Sequence, residues 1–253
     1  MNEQWTSSRP PAPGEPSQDH PPLTQAPTPD SARSSARFVD ADRKPNPAFS
    51  FLAGVLSILV LISTLLLPVQ KTAAQQLAFV SGHQSTVAVA MFSILLWATF
   101  SVPFVVGLGT LVRSRGTNLA LTATLLSAGG ILLLGFGNYV GDGALLSIVT
   151  AGHAPTPGAD IYQTAIASNL WPLLSDPGLM AWGLGQLMFA QLMWKSGILP
   201  AWLAVVAGIG GLATFLAGLL LPGIAIPLAL FAMVCFSVLG FATGIILLRT
   251  RAS

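Results

Sequence analysis

The stretch FSFLAGVLSILVLISTLLLP, residues 49–68, decides the fold of this chain. Its twenty residues include no charged side chain, and it ends at Pro68. A helix needs about 20 predominantly apolar residues to cross the hydrocarbon core of a bilayer. The stretch therefore predicts a first transmembrane helix, from which the rest of the chain can be interpreted.

Five further apolar runs follow it. Together the runs predict an all-α, polytopic membrane helix bundle. Its six transmembrane helices are expected at about 49–68, 87–112, 118–141, 178–194, 198–221 and 224–248. Asp176 and Pro177 suit the N-cap and first helical position of the fourth span. The turn pair Pro222-Gly223 separates the last two spans.

Composition supports lipid as the solvent for most of the chain. Charged residues make up 8% of the sequence and apolar residues 53%, whereas a soluble domain carries about 25% charged residues. The net charge of +2 does not indicate nucleic acid, because the basic residues lie singly or in pairs beside apolar runs. The single cysteine, Cys235, excludes an internal disulfide.

The basic residues predict the orientation. With six spans, ten of the eleven Lys and Arg residues fall on one side of the membrane, and only Lys71 falls on the other. Basic residues in short loops favour the cytoplasmic side. We therefore expect cytoplasmic N- and C-termini, in a multi-pass protein of a cell (plasma) membrane such as the bacterial inner membrane.

Residues 1–47 predict a disordered, Pro-rich cytoplasmic tail. They hold ten of the nineteen prolines and no apolar run, a composition that cannot build a core. PPAP and PGEP have the PxxP spacing of ligands for aromatic grooves. A solvated tail without such a role is the stronger interpretation.

A long external loop is predicted at 142–177, between the third and fourth spans. Within it, Asp160 suits the N-cap of a short helix with Tyr162 and Trp171 at headgroup level. A loop that covers the mouth of the bundle is the alternative interpretation.

The sharpest site hypothesis is a ligand crevice lined by Asn138, Asp142 and Gln186. Asn138 and Asp142 are four positions apart, so they share a helix face. Gln186 lies at the centre of the fourth span, where an amide should face the bundle interior. The alternatives are that Asp142 lies in headgroup water, that Asn138 bonds local backbone, and that Gln186 only joins helices.

Several chemistries are argued against by the residues present. The histidines (His20, His83 and His153) all lie outside the spans, which excludes bis-histidine haem in the bundle. There is no HExxH or phosphate-loop motif, and no carboxylate at mid-depth for a proton relay. We expect no cofactor, no metal site and no enzymatic activity.

Small residues repeat at GxxxG spacing in two spans. The pairs are Gly137 with Gly141, and Gly240 with Gly244. This spacing lets two helices approach closely. It predicts tight packing inside the bundle, or contact with a protein partner or a second copy through these faces.

The stretch MWKSGILPAWLAVVAGIGGL (Met193–Leu212) has a distinctive order: a basic residue, Lys195, ends one helix, and Gly197, Pro200 and Trp202 lead into the next. It resembles a join found in small bacterial multi-span membrane proteins that carry a domain of unknown function. The resemblance covers about the last third of the chain. It implies the membrane fold and brings no activity and no catalytic residues.

The sequence therefore favours a non-enzymatic integral membrane protein acting as an accessory, assembly or regulatory subunit. The alternative is a carrier or binder of a small neutral or lipid-like molecule, supported by Gln186 and by the face of Asn138 and Asp142. A solvent-accessible crevice reaching Gln186 would favour the carrier, and a filled bundle would favour the subunit.

Overall fold

The computed structural model describes residues 46–66, 72–152, 159–164, 170–220 and 222–252, and every regular element in these ranges is helical. The elements are α1 (Pro47–Leu66), α2 (Ala73–Gly82), α3 (Gln84–Val112), a 3₁₀ turn (Arg113–Arg115), α4 (Thr117–Thr150), α5 (Trp171–Ser196), α6 (Ala201–Ala217) and α7 (Pro222–Ala252). The predicted all-α class is confirmed. The predicted tail, residues 1–47, lies outside the described residues except for Asn46 and Pro47.

Four helices, α1, α3, α4 and α7, are long and apolar enough to cross a membrane, which indicates a multi-pass membrane protein. The other two long helices fall short for different reasons. Helix α6 has 17 residues, fewer than the roughly 20 that a span needs. Helix α5 has 26 residues, but Gln186 and Gln191 lower its apolar character. That all six cross the membrane stays a prediction.

The six long helices form a closed ring. Each of them packs on the next long helix along the chain, and α7 packs back on α1. At this closing seam, a Cβ on Gly240 would lie 3.0 Å from the backbone nitrogen of Gly54. The ring therefore joins the first long helix to the last, and it brings the start of α1 beside the end of α7.

Glycines let the backbones of α4, α5 and α6 touch. A Cβ on Gly130 of α4 would lie 2.5 Å from the carbonyl oxygen of Gly178 in α5, and a Cβ on Gly183 of α5 would lie 2.6 Å from the carbonyl oxygen of Gly211 in α6. No other residue fits at such distances without moving a helix. These contacts fix where the side chains of α5 point.

The join between α5 and α6 explains the order of residues in the stretch Met193–Leu212. Gly197 has a left-handed φ of 63°, and its N–H donates to the Met193 carbonyl at 3.3 Å. Glycine adopts this conformation without strain. Pro200 then precedes the first residue of α6, and Trp202 is half exposed at that end, as expected of an interfacial anchor.

Two predicted helix starts are wrong. Helix α5 begins at Trp171 with Pro172 in its first turn, so Pro177 lies inside the helix and Asp176 is not its N-cap. Helix α7 begins at Pro222, so the pair Pro222-Gly223 is helical rather than a turn. The fixed φ of proline suits a first helical turn, and at the start of α5 the chain uses the earlier of two candidate prolines.

The predicted external loop, 142–177, is too long at both ends, because residues 142–150 belong to α4 and residues 171–177 belong to α5. Helix α4 continues because its apolar face still has a surface to cover: Leu145 is buried against Val87 and Tyr162. Residues 159–164 form a short helical segment with Tyr162 pointing inward. Tyr162 is therefore packed on the protein, and the covering loop and the surface helix both stay predictions.

Helix α2 was not predicted from the sequence, although a signal was present. Thr72 accepts a hydrogen bond from the Gln75 backbone N–H at 3.2 Å. The sequence TAAQ (72–75) has the spacing of a capping box, Ser or Thr followed three residues later by Glu or Gln. The helix buries Leu77 and Val80 in the same cluster as Tyr162.

Candidate functional site

An aromatic cluster lies in the interior of the ring. It consists of Trp97 and Phe104 from α3, Trp182 from α5 and Phe236 from α7. The ring centroids of Trp182 lie 5.3 Å from those of both Trp97 and Phe236, and Phe104 lies 5.6 Å from Phe236. The interplanar angles of 65° to 85° are edge-to-face arrangements that aromatic pairs prefer.

The two indoles of this cluster differ in their hydrogen bonding. Trp97 Nε1 donates to Ser57 Oγ at 2.8 Å, and Ser57 in turn donates to the Ala53 carbonyl at 2.7 Å. Trp182 Nε1 is buried and has no hydrogen-bond partner. In a bilayer interior, a polar group left in this state costs several kcal/mol, so Trp182 marks an unusual position.

Gln186 lies one turn beyond Trp182 on the same face of α5. Its side chain is 3% exposed, and its Nε2 has no hydrogen-bond partner. Gly210 and Gly211 of α6 make room for it: a Cβ on Gly211 would lie 2.9 Å from Gln186 Cβ, and a Cβ on Gly210 would lie 3.3 Å from Gln186 Oε1. The amide is therefore held in the interior, as its position in the span predicted.

Three further buried hydroxyls lack a partner: those of Ser101, Ser127 and, on α7, Thr243. Ser101 lies one turn beyond Trp97 on α3, and Ser127 of α4 lies against Gly185 of α5. Both oxygens are buried and without a partner. Serines inside helices usually bond a preceding carbonyl, as Ser57 does, so these two are free to bond something else.

Asn138 bonds its own helix. Its side-chain Nδ2 donates to the Leu134 carbonyl at 2.8 Å. A bond to local backbone was one of the two interpretations of Asn138 that the sequence allowed. The bond uses one of the two protons of the side-chain amide.

Asp142 lies toward the C-terminal end of α4, near Tyr162 of the segment 159–164. It is half-buried. Burial and the neighbouring Asp142 carboxylate raise the pKa of Tyr162 to about 12, from an ordinary value of 10.0. Tyr162 is 1% exposed, so this phenol is a buried, neutral group.

The structure does not bring Asn138, Asp142 and Gln186 into one crevice. Gly185 of α5 meets Ser127 of α4, whereas Gly137 of α4 meets Leu174 of α5. Gln186 is therefore level with residues close to Ser127, and Asn138 lies about 16 Å further along the helix axis, at 1.5 Å per residue. Gln186 belongs with the aromatic cluster instead.

The predicted glycine faces are occupied inside the chain. A Cβ on Gly137 would lie 2.9 Å from Leu174 Cβ, and a Cβ on Gly244 would lie 2.9 Å from the Phe51 ring; Gly141 is buried as well. These pairs pack α4 on α5 and α7 on α1, which is the predicted tight packing inside the bundle; contact with a partner or a second copy through the same faces stays a prediction. Glycine is needed at these positions because the helices of the ring approach one another too closely for a larger residue.

No group of three His, Cys, Asp or Glu side chains that could hold a metal ion occurs among the described residues. His83 stacks on Phe79 with ring centroids 4.3 Å apart, and its Nδ1 lies 3.0 Å from the Phe79 carbonyl oxygen. His153 lies outside the described residues.

Sequence reasoning missed Trp182 as a site residue. A tryptophan in an apolar run is usually an interfacial anchor, and nothing in its own surroundings contradicts this. The signal that could have found it is the spacing to Gln186, because a residue four positions from a mid-membrane amide shares its inward face.

The comparison with protein families identifies one match: the domain of unknown function DUF4386 matches residues 48–249. This chain belongs to that family. The match confirms the resemblance seen in residues 193–212 and extends it over all seven helices. No curated protein and no solved structure matches the chain.

Proposed function

We propose that this protein is a non-enzymatic accessory, assembly or regulatory subunit of a membrane complex. The observation that supports this best is the closed ring with an aromatic cluster at its centre. Aromatic side chains occupy its centre, and glycines lock its helices together. A bundle built in this way acts through its outer surface and its N-terminal tail.

The glycine contacts supply the physical argument. Gly130 meets the backbone of Trp182, Gly183 meets that of Phe215, and Gly240 meets that of Gly54. A carrier opens its bundle by moving one group of helices against another. Opening the ring at any of these three interfaces would separate backbones that already fit closely, so a fixed scaffold is the better interpretation.

The outer surface offers a partner a wide apolar area. Large apolar side chains are exposed on the outside of the long helices, with Leu125, Phe136 and Trp194 each more than half exposed. Lipid tails cover such a surface in a bilayer, and a transmembrane helix of a partner subunit could replace them.

The proposal includes six transmembrane helices, with both termini in the cytoplasm of a plasma membrane of the bacterial inner-membrane kind. The C-terminal ends of α3 and α5 lie on one side of the ring, and this side carries Arg113, Arg115 and Lys195. The opposite side carries Asp142 and Asp176. The excess of basic residues supports the cytoplasmic assignment of the first side.

Cysteine labelling in whole cells tests this orientation. In a Cys235→Ser background, Ser114→Cys should react with a membrane-impermeant maleimide only after the cells are opened, because Ser114 lies in the 3₁₀ turn at the basic end. Ser147→Cys, an exposed position near the end of α4, should react in intact cells. The reverse pattern, or equal labelling of both, would contradict the proposed topology.

The functional test is native mass spectrometry of the protein, tagged at low expression and extracted gently from its own membrane. A second protein at fixed stoichiometry supports the subunit role and identifies the partner. Tag-free membranes serve as the control for adventitious binding. A protein that always emerges alone or only with copies of itself would overturn the subunit role.

A second function is supported by a different observation, the unpartnered donors on α5. Trp182 Nε1 and Gln186 Nε2 are buried without hydrogen-bond partners, which supports binding of a small neutral or lipid-like molecule inside the ring. A reproducible neutral adduct in the same mass spectra, without a second protein, would favour this function over the first.

A further inference from the structure

Two buried donors lie one helical turn apart on the inner face of α5. Trp182 and Gln186 are one helical turn apart, so their side chains project from the same face. They are 1% and 3% exposed, and neither Trp182 Nε1 nor Gln186 Nε2 has a hydrogen-bond partner. Unpartnered buried donors are rare in folded proteins, and two within one turn indicate a missing third group.

We propose that Trp182 and Gln186 together bind one small neutral guest through its oxygen atom, inside the ring. This deepens the second function proposed above, because it names the donors that hold the guest and the chemistry that they select. It does not depend on the subunit role.

The donors determine what the guest must present. An indole N–H can only donate, and the Gln186 amide nitrogen carries two protons and no acceptor. The guest therefore needs an acceptor: a carbonyl, ether, ester or hydroxyl oxygen. Both donors are fixed by packing, since the Trp182 ring lies between Trp97 and Phe236 and Gln186 lies against Gly210.

The surroundings determine that the guest is uncharged. Along α5 the nearest charged residues are Asp176 and Lys195, about 9 Å and 13 Å away along the helix axis at 1.5 Å per residue. An ion in an apolar interior requires an opposite charge close by. The aromatic faces beside the donors suit a neutral molecule with an apolar portion.

The other indole of the aromatic cluster serves as an internal comparison. Trp97 occupies the same interior and obtains an acceptor from Ser57 at 2.8 Å. The chain therefore supplies a partner to an indole at this depth when the role is structural. On the inner face of α5, by contrast, Trp182 and Gln186 both lack a partner one turn apart, whereas the buried hydroxyls without one lie singly on α3, α4 and α7.

Two sources share this acceptor chemistry: a water molecule, and a neutral organic molecule such as a diacylglycerol or a quinone. The experiment separates them. Native mass spectrometry detects an organic adduct on protein extracted from its own membrane. In parallel, 15N-tryptophan labelling gives an indole N–H resonance for each tryptophan, and a cross-peak to water identifies a hydrated N–H.

The variants have matched controls on the same helix. Gln186→Leu removes the buried amide, and Gln191→Leu removes an amide that is exposed. Trp182→Phe assigns the buried indole resonance, and Trp194→Phe removes an indole that is 64% exposed. Any general effect of losing an amide or an indole from α5 appears in the controls.

An organic guest is supported if a neutral adduct persists in the Gln191→Leu variant and its occupancy falls about tenfold in Gln186→Leu, the loss expected for one hydrogen bond. Water as the guest is supported if no adduct is found and the Trp182 N–H shows a water cross-peak; the site then stands and the second function fails.

Two results would overturn the site. An adduct that keeps its full occupancy in Gln186→Leu would leave the second function standing but would place the guest elsewhere. Wild-type protein with neither an adduct nor a water cross-peak at Trp182 would show that the donors hold nothing. This last measurement needs only the resonance assignment from Trp182→Phe, so it decides the matter even if Gln186→Leu does not fold.

Discussion

Replacing Gly130 with Ala should separate helices α4 and α5. The added methyl group would lie 2.5 Å from the Gly178 carbonyl oxygen and 2.8 Å from Trp182 Cα, and would contact the Trp182 backbone nitrogen. These are backbone atoms of α5, so no side chain can rotate away. The helices must instead move apart by roughly 1 Å to restore normal van der Waals contact.

The neighbouring glycine supplies the control. A Cβ on Gly129 would meet nothing within 4 Å, although it lies in the same turn of α4. Both substitutions gain the same helix propensity, about 1 kcal/mol, and both change the unfolded chain equally. Their difference therefore measures the overpacking alone, for which about 1–3 kcal/mol is expected.

Thermal unfolding in a mild detergent, followed by far-ultraviolet circular dichroism, measures this difference. For a chain of this size, each kcal/mol shifts the midpoint by about 2–4 °C. At about 2 kcal/mol, the Gly130→Ala variant should melt about 4–8 °C below Gly129→Ala. Equal midpoints would mean that α4 and α5 are not in backbone contact at Gly130, and the packing argument for a fixed ring would fail with it.

Three further predictions concern single hydrogen bonds and charges. Ser57→Ala should lower the free energy of unfolding by about 1–3 kcal/mol, because it leaves the buried Trp97 N–H unpaired. The control Ser147→Ala loses only a hydroxyl bond to a carbonyl of its own helix, so it should lower the free energy of unfolding by less. Equal losses in the two variants would contradict the reasoning. Asp142→Asn should lower the pKa of Tyr162 from about 12 toward 10, while burial keeps it above 10. Ultraviolet titration in a Tyr139→Phe background measures this pKa. An unchanged pKa would show that the Asp142 carboxylate does not act on Tyr162. In the wild type, the free energy of unfolding should fall as the pH rises from about 10 to about 12, because the unfolded chain loses the phenolic proton first. Denaturant unfolding at a series of pH values measures this. A free energy of unfolding that stays constant over that range would argue against a buried neutral phenol.

The apolar pattern located the helices well, and the reason is physical. In a bilayer every backbone polar group must be bonded within its own helix, so an uninterrupted apolar run leaves the chain few other structures. Helix ends were harder, because proline suits several positions in a first turn. Both Pro172 and Pro177 could have started α5, and only packing against α4 decides between them.

The interior of the ring was less accessible to sequence reasoning. The pattern placed Gln186 in the interior, but it could not show that Asn138 lies far from it, since the offset between two helices depends on which glycines meet. It also identified Gly240 and Gly244 as a packing face without naming the partner. That α1 is the partner follows only from closing the ring, which no local signal encodes.

Closure of the ring by α7 has a consequence in time. Gly54 and Gly240, which meet at the seam, are separated by nearly the whole helical part of the chain. At a synthesis rate of about 5–20 residues per second, α1 leaves the ribosome about 10–40 s before the helix that covers it is complete. Throughout that interval the small-residue face around Ser50 and Gly54 is open to lipid, to chaperones and to other nascent helices.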